Sequence, residues 1–246
     1  MDTNYNSSYN KSSYNTNYKS APELVAYSAD RERVIFYRKT YTYVALALLA
    51  FILVETALLR LVPATLIKAM FGGKFIWLFI IGGFWLGSML APKWAHSPNK
   101  TTQHIGLAVY VLLQAVIFLP LIYIALTYTG TELISQAAII TLSLFLGLTA
   151  VVFMTRLDFS FLRSVLVIGG FLSLGLIIAG TLFGFELGLW FSLGMVVLAT
   201  GSILYQTYNV KNEYTTDQYV GAALQLFASV MLLFWYILRI LLSKRD

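Results

Sequence analysis

The chain has no cysteine. That removes disulfide staples, thiolate metal sites and a cysteine nucleophile. Histidine is almost as scarce: His96 and His104 are the two in 246 residues. Both lie in one polar connection, out of reach of any serine inside an apolar stretch, so a Ser-His relay within a membrane does not fit. Two histidines are also too few for a zinc site. No glycine-rich phosphate loop precedes a helix, and the last apolar segment has no lysine to form a retinal-type Schiff base. Charge is thin throughout. Asp, Glu, Lys and Arg make up 11% of the chain, against about 25% in a soluble domain. With these groups missing, no catalytic apparatus is left and no enzymatic activity is expected.

What is present is hydrophobic length. Fifty-nine per cent of the residues are hydrophobic and the mean hydropathy is +0.74, which describes a multi-pass membrane protein whose first partner is the lipid bilayer. A crossing needs roughly 20 apolar residues for ~30 Å of hydrocarbon. Seven such spans are predicted, at 42–61, 75–92, 105–128, 134–154, 162–183, 186–206 and 219–242. Pro63 with Gly72-Gly73, then Pro92 to Pro98, then Thr129 to Glu132, mark the first three breaks. Pro120 falls inside the third span and is expected to kink it. Gly83 and Gly87, and Gly180, Gly184 and Gly188, recur four apart, the spacing that lets membrane helices approach closely.

Residues 1–35 read differently. Their first twenty residues are nearly all Asn, Ser, Tyr, Thr and Lys, with Tyr5, Tyr9, Tyr14 and Tyr18 in a loose repeat. Such a segment cannot bury a core and is expected to be a disordered tail. It lacks the apolar h-region of a signal peptide. Residues 36–246 form the membrane domain. The net charge of +6 then speaks of topology, not nucleic acid. The tail and the even-numbered loops hold more Lys and Arg than the opposite side, which places the N-terminus in the cytoplasm.

Four polar residues inside spans are the candidate core or ion-pathway residues. Glu55 is the one acidic residue well inside a span, where a charge costs ~2.5–3.5 kcal/mol on insertion scales. It either titrates or coordinates a cation in the bundle interior, or it reaches the outer interface or a neighbouring helix. Gln225 and Ser229 are four apart and share a face, with Gly221 one turn back. Ser202 and Gln206 make a similar pair at the end of the sixth span. Interhelical hydrogen bonding, at ~0.6 kcal/mol per contact, is the plain alternative to a working site.

The segment Phe36-Tyr37-Arg38-Lys39-Thr40-Tyr41 resembles the F-x-R-K-x-Y motif ahead of the first span in the Bax inhibitor-1/YccA family (transmembrane Bax inhibitor motif proteins). Thr155-Arg156-Leu157-Asp158-Phe159-Ser160-Phe161-Leu162 resembles its T-[KR]-x-D-[FM]-S-F-L loop, in which Arg156, Asp158 and Ser160 are the polar members. Leu204-Tyr205-Gln206-Thr207 resembles its L-[FY]-D-T, and Tyr219 to Phe234 its seventh span. The nearest likeness is to the bacterial YccA-like branch. The resemblance implies an all-α seven-transmembrane bundle with the seventh helix central. It implies one of two roles: modulation of an FtsH-type membrane protease at a bacterial inner membrane, or a pH-sensitive calcium leak. The leak is linked in the family to an aspartate pair, which falls here on Gln206 and Ser229. Two carboxylates that share a proton can switch charge, whereas a glutamine and a serine cannot. Their neutral oxygens also suit calcium poorly. No cofactor is expected, and pH sensing, if present, falls to Glu55.

Overall fold

A computed structural model describes residues 23–72, 82–83, 85–87, 89–90, 93–94 and 97–244. Seven continuous helices are α1 (Asp30–Leu61), α2 (Ala64–Gly72), α3 (Lys100–Thr129), α4 (Glu132–Met154), α5 (Leu162–Phe183), α6 (Leu189–Asn212) and α7 (Tyr219–Ser243). All but the short α2 are long and apolar enough to cross a membrane. These six correspond to six of the seven predicted spans. The remaining one, 75–92, falls largely outside the described residues.

The helix ends follow local chemistry. α1 starts with Asp30 and Glu32 in its first turn, where acidic groups meet the positive end of the helix dipole. It then meets no Gly or Pro until Pro63, which cannot continue it. The Asn99 side chain caps α3 by accepting from the Thr101 N–H at 2.9 Å. The helix runs through Pro120, which is buried within it. Gly130 and Gly184, at φ 64° and 76°, close α3 and α5 in backbone conformations that a side chain would strain.

Two boundaries differ from the sequence reading. α1 begins at Asp30, inside the segment assigned to the tail. Just ahead of it, Val25 N–H donates to the Tyr214 carbonyl at 2.9 Å and Thr216 N–H donates to the Glu23 carbonyl at 3.1 Å. A short stretch before α1 is thereby paired with the α6–α7 loop. The second difference is that Gln206 does not close α6, which continues to Asn212. Nothing between the two positions breaks a helix. Lys211 also gains by staying helical, because its Nζ donates to the Val152 and Thr155 carbonyls at 3.4 Å, at the C-terminal end of α4.

α7 packs against α1, α3, α4 and α6, whereas α5 packs chiefly on α6. α1, α3 and α7 start at the same end of the bundle, since the Tyr43 ring is 5.4 Å from both the His104 and the Tyr219 rings. α4 finishes there too, with Tyr37 and Phe153 ring centroids 5.1 Å apart. Toward the other end Phe118 meets Phe51 edge-on, at 5.2 Å, and stacks on Phe234 at 5.6 Å. That contact ties α1, α3 and α7 together. Lipid is as apolar as leucine, so this interlocking, not escape from water, supplies the attraction between helices.

Candidate functional site

The most extensive helix contact among the described residues is where α6 and α7 face each other. Small side chains on α7 allow it: Gly221, Ala222 and Ala223 are buried against neighbours. The Ser202 and Ser229 hydroxyl oxygens are 2.8 Å apart. The Ser229 hydroxyl donates to the Gln225 carbonyl one turn back, at 3.0 Å. Its single proton is therefore committed, and Ser202 is the donor in the pair. Ser229 lies ten residues past Tyr219, about 15 Å along the helix, near the middle of ~30 Å of hydrocarbon.

The partner of Ser229 is thus Ser202, one turn away from Gln206. The Gln206 and Gln225 side chains are half-buried and make no hydrogen bond among the described residues. The sequence pairing of Gln206 with Ser229 rested on motif position. The contact itself is set by helix phase: Ser202 presents its hydroxyl to α7 and Gln206 does not bond there.

Glu55 is 4% exposed. It is the last member of one buried stripe on α1, after Thr40, Val44, Ala47 and Phe51, at the spacing that keeps residues on one helix face. Both carboxyl oxygens lack a hydrogen-bond partner among the described residues. It sits twelve residues past Tyr43, about 18 Å along α1, one turn beyond Phe51.

The family-motif loop forms the end of the site where α4 stops. The Asp158 carboxylate accepts the Ser160 N–H at 2.8 Å. That backbone bond, helped by the Ser160 and Tyr208 hydroxyls, holds the carboxyl below the usual aspartate range. Phe159 is buried edge-on to Tyr208, with ring centroids 6.4 Å apart. Arg156, Asp158, Tyr208, Lys211 and Asn212 surround a small cavity of about 300 Å³. The arrangement is a loop lock: it fixes the α4–α5 turn against the end of α6.

Two features escaped the sequence reading. Gln103, fully buried on α3, donates to the Ser97 carbonyl at 2.8 Å and accepts the Gly221 N–H at 3.2 Å. It thereby caps the N-terminus of α7 from another helix. Its only advance signal was a polar residue in the first turn of an apolar helix. Tyr41, Thr149 and Thr207 bring three hydroxyls from α1, α4 and α6 toward one another, without a closed hydrogen bond among the described residues. No group of three or more His, Cys, Asp or Glu side chains gathers in metal-binding geometry among those residues.

A polytopic helical bundle in which a hydroxyl pair joins α6 to α7, with a T-R-L-D-F-S-F-L loop packed at one end, defines a class of integral membrane protein. Comparison with known proteins gives that class its family. The family model described as inhibitor of apoptosis-promoting Bax1 matches residues 33–246, and the chain belongs to this Bax inhibitor-1 family. It is 32% identical to Bax inhibitor 1 of Schizosaccharomyces pombe over 125 residues, which is 48% of this chain and 45% of the yeast protein. It is 29% identical to an uncharacterized protein of Neisseria meningitidis serogroup A over 71% of this chain and 77% of that one. It is 26% identical to Protein LIFEGUARD 3 of Arabidopsis thaliana over 84% of this chain and 83% of the plant protein. The match is thus less than half of the yeast protein but most of the bacterial and plant ones.

Proposed function

We propose that this protein is a non-catalytic regulator acting through helix contacts in the membrane, a partner of membrane protein quality control of the FtsH-type protease class. The observation that carries this is the Ser202–Ser229 pair. Hydroxyls there hold α6 to α7 but change neither charge nor affinity for a divalent cation with pH. A bundle joined in this way transmits position rather than gating ions. In this reading α7 is the central helix of seven, the second span being 75–92. The N-terminus faces the cytoplasm of a bacterial inner membrane, because Arg31, Arg33, Arg38, Lys39 and Lys100 gather at the end where α1, α3 and α7 begin. Bacterial relatives fit that location.

The test has two halves. Affinity purification of the full chain from native membranes is expected to bring down an FtsH-type protease. Calcium flux into liposomes between pH 6 and 8 is expected to show no steep pH response. A robust leak without a protease partner reverses the ranking.

A second reading, a cation leak, is favoured by one observation: the buried Glu55 carboxyl with no partner among the described residues. If a steep pH-dependent leak is found and Glu55→Gln abolishes it, Glu55 carries the function. If Gln206→Ala abolishes it instead, the motif position at Gln206 carries it.

A further inference from the structure

A sizeable cavity lies away from the serine pair. It is a groove of about 720 Å³ between α5 and the α3–α6–α7 face, running along α5 from Leu166 to Thr181 and ending beneath Leu187 and Arg239. Its walls are mostly apolar, with the Gln114 amide of α3 among them. Two of the polar residues on α5 are already committed to their own backbone: Ser173 donates to the Gly169 carbonyl at 2.6 Å and Thr181 to the Ile177 carbonyl at 2.8 Å. What α5 turns to the groove is therefore almost wholly apolar.

One end is different. Arg239 donates to the Leu187 carbonyl at 2.7 Å through one guanidinium nitrogen. It forms no ion pair among the described residues, where Arg33–Asp30 is the salt bridge present. Glu186, next to Leu187 in the chain, is exposed and does not pair with it. An arginine has five donors, so most of its capacity is uncommitted. Arg239 is also at a particular depth. It lies twenty residues past Tyr219, about 30 Å along α7, so if Tyr219 marks one membrane interface, Arg239 marks the other.

An apolar groove along a membrane helix, with a cation at headgroup depth at one end, has the polarity profile of a lipid. We infer that this groove holds one acyl chain of an anionic phospholipid, with the phosphate at Arg239. Arginine suits the ligand because its planar fork matches phosphate oxygens. α5 suits it as a wall because the helix packs chiefly on α6, leaving its flanks open to the bilayer. A compact polar solute would find few hydrogen-bond partners along these walls. The proposal goes beyond the regulatory role and does not depend on it.

Gly170 supplies a clean handle. It lines the groove, and a Cβ built there meets nothing within 4 Å, so a larger side chain enters the groove without striking backbone. The experiment is native mass spectrometry of the purified full chain with dioleoyl phosphatidylglycerol or dioleoyl phosphatidylcholine at equal concentration. The wild type is expected to keep phosphatidylglycerol with about a fivefold preference, the scale of one basic residue at an anionic headgroup. Arg239→Gln should lower the preference several-fold, to the level that the basic residues of the opposite end supply, and Arg239→Lys should retain much of it. Gly170→Phe should lower retention of both lipids. Lys39 and Lys100 at the opposite end, both stacked toward the Tyr219 ring, also attract anionic lipid, so the reading is the difference between wild type and Gly170→Phe. Circular dichroism matching the wild type shows that each variant has folded. Equal retention of the two lipids by the wild type overturns the proposal. So does unchanged phosphatidylglycerol retention in a folded Gly170→Phe variant.

Discussion

α5 and α7 are nearly indistinguishable by hydropathy, at 2.4 and 2.1 over their most apolar windows, yet they live in different surroundings. α7 has fifteen buried residues out of 25, whereas α5 has one, Gly180, out of 22. Apolarity therefore shows that both helices can sit in a membrane and does not show which one is the more enclosed. What separates them is how small and polar residues are used. On α7, Gly221, Ala222 and Ser229 let neighbours close in from four sides, and Gln103 reaches across to cap its first turn. On α5, Gly170 and Gly175 face open space, and Gly170 lines a groove in place of a contact.

Mutations can break or sharpen that contrast. The largest effect is expected from Phe227→Ala, which empties a fully buried position beside Tyr110 and should cost about 3 kcal/mol. Phe171→Ala, at a site 62% exposed on α5, should stay within about 0.5 kcal/mol of wild type. Unfolding in mixed micelles of increasing SDS measures both, and equal costs would dissolve the distinction. Next comes Gln103→Ala. It strands the Gly221 N–H in a buried position, at about 1–3 kcal/mol, and amide exchange at the start of α7 should speed up while that of α5 does not. Ser229→Ala is milder, about 0.6 kcal/mol, because a single interhelical hydrogen bond is lost and the alanine still packs.

Asp158→Asn is the smallest, and its sign is fixed by pH. The folded-state carboxyl is held below its ordinary value, chiefly by the Ser160 N–H. Its stabilisation is therefore present above the ordinary carboxylate range and fades as pH falls through the lowered one. The wild type should lose more stability than Asp158→Asn between pH 5 and pH 2, as followed by the unfolding midpoint. Parallel curves would show that the loop does not depend on the charge.

Much of this was legible in the sequence, and the exceptions have physical causes. Six spans could be read from apolar length, and the family from the F-Y-R-K-T-Y and T-R-L-D-F-S-F-L segments. The start of α1 was not legible, because Asp30 to Arg33 is charged enough to read as part of the tail of residues 1–35, yet it opens a helix that goes on to bury Phe36 and Thr40. The Ser202–Ser229 contact was placed one turn off, since motif alignment gives positions but not the rotation of one helix against another. Gln103 as a cap was invisible: its partner is 118 residues away in the chain, and no local pattern records so distant a bond.

The paired backbones at Glu23–Val25 and Tyr214–Thr216 have a mechanical meaning. Any partner that grips the Asn- and Tyr-rich stretch ahead of Glu23 pulls first on those two hydrogen bonds, and through them on the hinge joining α6 to α7. A tether attached at that point works as a handle. Load on that stretch reaches the turn between the two helices that Ser202 and Ser229 clasp as well as the start of α1.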